Sequence, residues 1–208
     1  MNFSNYKNIV FDLGAVIINI DFQKTFEAFA NLANTDVIEV LGKFETQNIL
    51  HRYETGEVDD KGFRNLIRQE LGSHLSDEQI DKAWNALLLD IPKERIDLIL
   101  RLKNKYRIFI LSNTNAIHIR EVNNILHNTT GIENLDNIFE KVYYSHEVAL
   151  RKPDSAIYEY VLKDKNLKAS ETIFLDDNLD NIKASERAGI TSIWVNPPLT
   201  ILDILRDA

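Results

Sequence analysis

The stretch IVFDLGAVIINID, residues 9–21, decides the fold. Ile9, Val10 and Phe11 form a β-branched and aromatic run without polar alternation, the pattern of a strand covered on both faces. Asp12 follows at once, ahead of a turn containing Gly14, and a second apolar run continues to Ile20. A carboxylate at the end of a buried strand costs free energy unless it caps a turn, meets a counter-charge or does chemistry.

Runs of the same texture recur along the chain: NIVFDL at 8–13, RIFILS at 107–112, KVYYS at 141–145, TIFLDD at 172–177 and TSIWV at 191–195. Amphipathic stretches lie between the later ones. Residues 92–105 place Ile96, Ile99, Leu100 and Leu102 near helical spacing behind Pro92. Residues 153–166 open with Pro153 and carry Ile157, Tyr158, Val161 and Leu162, and residues 178–188 run to Gly189, read as a helix C-cap. Alternation of this kind predicts a parallel sheet with helices on both faces. Residues 22–90 differ. Phe26, Phe29 and Leu32, then Phe63, Leu66, Ile67 and Leu71, then Ile80, Trp84, Leu87 and Leu88 recur at helical spacing without a strand among them, and Gly56 and Gly62 read as turns. The expectation is an α/β, Rossmann-like core built from residues 1–19 and 91–208, interrupted after its first strand by an α-helical cap at 20–90.

The 208 residues are 44% hydrophobic and 27% charged, as in soluble globular proteins. A formal net charge of −8 and the lack of a dense Lys/Arg run argue against a nucleic-acid partner. The absence of cysteine excludes disulfides and thiolate metal sites and suits a reducing compartment. No apolar run approaches the roughly 20 residues that span a bilayer, and the N-terminus lacks a basic segment followed by an apolar signal core. A cytoplasmic protein, monomeric or homodimeric and without a membrane partner, is expected.

In open parallel sheets, ligands bind beyond the carboxyl ends of the strands, where the strand order reverses. The first strand delivers Asp12 there, the second Ser112-Asn113-Thr114 and the fourth Asp176-Asp177, while Arg151-Lys152-Pro153 follows the third. Acids from two strand ends can hold a hard divalent cation such as Mg²⁺ through oxygen. A hydroxyl, backbone N–H groups and a lysine can grip phosphate, and an acid left free can attack phosphorus to form an aspartyl-phosphate. Singly, each residue has an ordinary reading: Asp12 as a cap or turn former, Ser112 as a cap, Lys152 as a solvated surface residue. Asp176 beside Asp177 is harder to place without a cation, because adjacent carboxylates repel. The four motifs in order carry the inference.

Those motifs resemble the haloacid dehalogenase-like hydrolase superfamily, in its phosphatase-rich branch with a helical cap after the first strand. FDLGAV (11–16), LSNT (111–114), RKPD (151–154) and FLDDNLDNI (174–182) match its four motifs, and the resemblance covers nearly the whole chain. It implies Asp12 as nucleophile, Ser112 and the Asn113 backbone amide as phosphate ligands, and Lys152 as the charge neutralising nucleophile and phosphoryl group. It implies Mg²⁺ held by Asp12, the Gly14 carbonyl, Asp176 and Asp177, and a cap that closes over the site and reads the leaving group. The activity implied is that of a Mg²⁺-dependent phosphatase acting on a small phosphorylated metabolite. FDLG and the continuation Ile20-Asp21-Phe22 are similar to sugar-phosphate phosphatases of the glucose-1-phosphate type. The chain departs at Gly14, where most phosphatases of the family carry a second Asp that protonates the leaving group and later activates water.

A 2-haloacid dehalogenase displacing halide with Asp12, and an inactive family member serving as a binding module, are the alternatives. The Asp176-Asp177 pair and the Gly14-Ala15-Val16 turn favour the phosphatase over the first. The intact set Asp12, Ser112, Lys152 and Asp177 favours it over the second. YETGEVDDKGF (53–63) reads as a turn with a solvated acidic run rather than a substrate contact through Arg52, Tyr53 or Glu54. Trp84 reads as packing inside the cap, with Asn85 beside it able to reach substrate. His118, just after the second motif, reads as a surface helix residue rather than one at the rim of the site, and Asp21 as the N-cap of the first cap helix rather than the missing acid.

Overall fold

The computed structural model describes residues 3–72 and 74–208. Strand β1 (Asn8–Phe11) is followed by five helices: α1 (Phe22–Ala33), α2 (Val37–Thr46), α3 (Ile49–Glu54), α4 (Asp60–Leu71) and α5 (Asp77–Trp84). Helix α6 (Lys93–Leu102) then leads into β2 (Arg107–Ser112), α7 (Ala116–Thr130), β3 (Lys141–Tyr144) and the single turn α8 (Ser145–Val148). The chain ends with α9 (Ser155–Asp164), β4 (Thr172–Asp176), α10 (Leu179–Arg187), β5 (Thr191–Trp194) and the short α11 (Ile201–Ile204).

The five strands are parallel and ordered β3-β2-β1-β4-β5. Central β1 sets Ile9 beside Ile108 on one side and Ile173 on the other. The order turns back at β1, so the crevice beyond the ends of β1 and β4 is the place where such sheets bind ligands. Side chains alternate between two cores. Ile9, Phe11, Ile110 and Leu175 pack with Ile96, Val122 and Ile201 of α6, α7 and α11. Val10, Phe109 and Phe174 pack with Ile157, Tyr158 and Ile182 of α9 and α10. The expected parallel α/β sheet, covered on both faces, is therefore the fold adopted.

Helices α1–α5 surround an apolar cluster of their own, including Phe29, Phe44, Tyr53, Phe63 and Trp84. Its rings interlock: Tyr53 stacks on Phe63 at 4.4 Å between centroids, and Phe63 tilts against Trp84 at 4.8 Å. Asp21, Asp36, Asp59 and Ser76 accept hydrogen bonds from the first turns of α1, α2, α4 and α5. The segments leading into and out of this bundle pair with each other. Asn19 N–H donates to Asp90 O at 2.9 Å, Leu89 N–H to Asn19 O at 3.0 Å and Asp21 N–H to Leu87 O at 2.9 Å.

Several boundaries move. Strand β1 stops at Phe11, yet the Asp12 N–H still donates to Leu175 O at 2.8 Å, continuing the ladder to the acid. Helix α10 is capped at Ala188, and Gly189 sits one residue beyond at φ +81°, where a left-handed backbone favours glycine. Gly56 makes the turn after α3 at φ +72°. Gly62 makes none: it lies in the first turn of α4, its N–H donating to the Asp59 cap at 2.7 Å. Among the described residues, no helix is long and apolar enough to cross a membrane.

Candidate active site

Because β1 and β4 end side by side, Asp12 and Asp176 leave neighbouring strands at the crevice. Oxygens of Asp12, Asp176 and Asp177 lie within 4.8 Å of one another. Lys152 reaches between them from the loop joining α8 to α9. Its Nζ is 2.7 Å from Asp12 Oδ1 and 2.7 Å from Asp176 Oδ2, and the residue is only 1% exposed. Three carboxylates thus face one ammonium.

The charges respond. Burial pushes the Asp12 carboxyl up to about 7, with Lys152 opposing the rise and Asp176 adding to it. Burial, then the neighbouring Asp176, raises Asp177. Burial works against the Lys152 charge, but Asp12 and Asp176 outweigh it and hold its pKa up. An all-oxygen donor set with this excess of negative charge fits a hard divalent cation such as Mg²⁺.

Neighbouring polar groups orient the set. Asp176 Oδ1 accepts the Asn178 N–H at 2.8 Å, and Asn181 Nδ2 donates to both Asp176 oxygens at 3.0 Å. Thr114 N–H donates to Ser145 Oγ at 2.9 Å, fixing the chain as it leaves β2 next to buried Ser112. A small cavity of about 60 Å³ opens here, with Gly14, Glu54, Ser112, Asn113, Thr114 and His118 on its wall. A larger one of about 280 Å³ lies between the helical bundle and Arg151 of the core, and Phe22 and Leu50 line both.

The sequence matches the haloacid dehalogenase-like hydrolase family over residues 6–189. The chain belongs to that family. It is 31% identical over 183 residues to the D-ribitol-5-phosphate phosphatase of Bacteroides thetaiotaomicron, covering 88% of each chain. It is similar in structure to the HAD family enzyme bt-2542 of the same species, with TM-score 0.91 and 33% identity over 97% of this chain and 99% of that one. The complex of that enzyme with magnesium and inorganic phosphate gives TM-score 0.83 at 36% identity, over 91% and 93% of the two chains.

Within this hydrolase fold, Asp12, Asp176 and Asp177 meet around Lys152, whose backbone Asn113 holds, while Gly14, Ser112 and Asn113 line the small cavity. Asp21 caps α1, accepting the Gln23 N–H at 3.0 Å. Trp84 packs inside the bundle, while Asn85 lines neither cavity. Two readings are corrected. His118 is buried rather than on the surface: its ring stacks on Trp84 at 4.6 Å, with Nδ1 3.0 Å from Asn115 Nδ2 and Nε2 3.1 Å from Trp84 O. Glu54 is buried rather than solvated, paired at 2.8 Å with Arg151. Arg151 and Asn181 lie inside the RKPD and FLDDNLDNI motifs, but motif position assigns neither of them a contact, and Glu54 lies outside all four motifs. Only the asparagines inside DDNLDN hinted at Asn181.

Proposed function

We propose that the chain is a Mg²⁺-dependent phosphomonoesterase for a small phosphorylated metabolite of the sugar- or polyol-phosphate class. The observation that carries this reading is the Asp12, Asp176 and Asp177 cluster closed by Lys152 at the sheet's switch point. Asp12 attacks phosphorus. The Ser112 hydroxyl and the Asn113 amide bind phosphoryl oxygens, and Lys152 offsets negative charge on both nucleophile and phosphate. Asp12, the Gly14 carbonyl, Asp176 and Asp177 hold Mg²⁺, whose charge offsets that of the phosphoryl group when bound.

Residues 20–90 act as the cap of a core formed by 1–19 and 91–208. The bundle's apolar cluster, joined from the core by Ile117 of α7, and the paired segments at 19–21 and 87–90 support that division. The 280 Å³ cavity, with aromatic Phe26, Phe44 and Trp84 and polar Asn48, His51 and Arg151, suits a small hydroxylated leaving group. Similarity to a D-ribitol-5-phosphate phosphatase supports the same class. The protein works in the cytoplasm as a monomer or homodimer, without nucleic-acid or membrane partners, in keeping with its charge of −8.

The test is phosphate release from a panel of sugar and polyol phosphates with and without EDTA, beside halide release from 2-haloacids. Phosphate release that EDTA abolishes is expected. Halide release indifferent to EDTA would replace the phosphatase reading with the dehalogenase one.

A further inference from the structure

Glycine at position 14 leaves the leaving-group oxygen without the usual neighbouring acid. We propose that Glu54, which lines the same cavity as Gly14, supplies that proton, an inference that rests on the phosphatase reading. Among the described residues lining the cavity that Gly14 shares with Ser112, Asn113 and Thr114, Glu54 is the one carboxyl. The other groups are ill suited. Hydroxyls are weak acids, and both ring nitrogens of His118 are engaged by Asn115 and Trp84 O. Asp21 is committed to the α1 cap and lies outside the cavity wall.

The surroundings of Glu54 let it hold and release a proton. It is the last residue of α3, whose negative end disfavours a carboxylate. Burial pushes its carboxyl up, and the Arg151 charge pulls it part of the way back. Arg151 Nη2 donates to Glu54 Oε2 at 2.8 Å, so the carboxylate left after proton transfer has a partner. Arg151 precedes Lys152, whose backbone Asn113 grips, so the loop that meets Glu54 through Arg151 is braced against the residue after β2.

The step balances. As an Asp12 oxygen bonds to phosphorus, the bond from phosphorus to the leaving oxygen breaks. Its electron pair takes the Glu54 proton, and an alcohol departs. Water then attacks the aspartyl-phosphate and gives its proton to the Glu54 carboxylate. The phosphorus–Asp12 bond breaks, the carboxylate is restored and phosphate leaves.

The experiment measures single-turnover leaving-group release by the Mg²⁺-loaded protein from D-ribitol 5-phosphate and from 4-nitrophenyl phosphate. Glu54→Gln should slow release from the alkyl ester by about 10² to 10⁴-fold, and from the aryl ester far less, because a phenolate departs without protonation. Adding Gly14→Asp to Glu54→Gln should restore much of the alkyl rate. A Cβ at Gly14 meets only the side chain of Ile20, its Cδ1 at 3.0 Å and its Cγ1 at 4.0 Å, and the Gly14 backbone lies outside the left-handed region. Equal losses on both esters would show that Glu54 merely positions Arg151 and would overturn the proposal. The unmutated protein gives a second check. Across a series from phenols to alcohols its rates should depend weakly on leaving-group pKa, and a steep dependence would also overturn the proposal. No phosphate release from any member would remove the phosphatase reading itself.

Discussion

The side chain of Asn113 brackets the peptide of Lys152: its Oδ1 accepts the Lys152 N–H and its Nδ2 donates to the Lys152 carbonyl, both at 2.9 Å. The residue after β2 thereby sets the position of the loop that carries the ammonium. Asn113→Ala removes both bonds and keeps the backbone amide. It should lower stability by about 1–3 kcal/mol and, by loosening Lys152, lower kcat by up to about 100-fold. Urea melts and steady-state kinetics check this. An unchanged kcat would show that burial alone holds Lys152.

Asp12→Asn should abolish turnover while the fold persists, because an amide is a poor nucleophile toward phosphorus. Its melt in EDTA should match or exceed that of the unmutated protein near neutral pH. The substitution removes a carboxylate whose charge burial opposes, as its rise to about 7 records. A large fall in Tm would mean that the Asp12–Lys152 pair stabilises the native state more than its desolvation opposes it.

The places of Asp12, Ser112 and Asp177 at one edge of the sheet were legible because strand topology sets them, whereas Lys152, in the loop joining α8 to α9, was legible only through the RKPD motif. A short apolar run of known length ends at the carboxyl edge, and parallel order brings such ends together. The roles of Glu54 and His118 depend on contacts across the fold. Glu54 sits in a run, YETGEVDD, whose acids look solvated, and only docking against the loop holding Arg151 buries it. His118 meets the carbonyl of Trp84, 34 residues away, because α7 packs its Ile117 against the helical bundle. Periodicity recorded that a face was apolar, without recording what would cover it. Helix α7 was marked only at His118, its extent hidden because asparagines and histidines separate Ile117, Val122 and Leu126.

Metal binding should be visible without turnover. A cation held by Asp12, Asp176 and Asp177 stabilises the folded chain by mass action, by about 2.7 kcal/mol at a concentration 100 times its Kd. Mg²⁺ should therefore raise Tm in a concentration-dependent way, and Asp177→Ala should shift that dependence to higher Mg²⁺. Asp177 is the partner to change because Lys152 and Asn181 already engage Asp176. Identical Mg²⁺ dependence in the two proteins would remove Asp177 from the metal site.

His118 makes a pH-dependent contribution to stability whose sign follows from its burial. Desolvation in the Trp84 stack pushes the imidazole down to about 4, with the hydrogen bond to Trp84 O pulling slightly the other way. In the unfolded chain the same ring titrates near 6.5. Between these values the unfolded state binds more protons, so stability rises with pH across the window. The contribution is fully present above about 6.5 and is lost as pH falls toward 4, by up to about 3 kcal/mol. His118→Gln keeps a donor and an acceptor but cannot titrate. It should be the less stable protein at pH 7, because the ring stack is lost. The gap between the two should narrow as pH falls from 6.5 to 4, while carboxylates common to both cancel in the difference. Denaturant melts at half-unit pH steps measure that difference. A gap that stays constant would mean that folded His118 accepts a proton as readily as an unfolded histidine, which the stack and its two engaged nitrogens oppose.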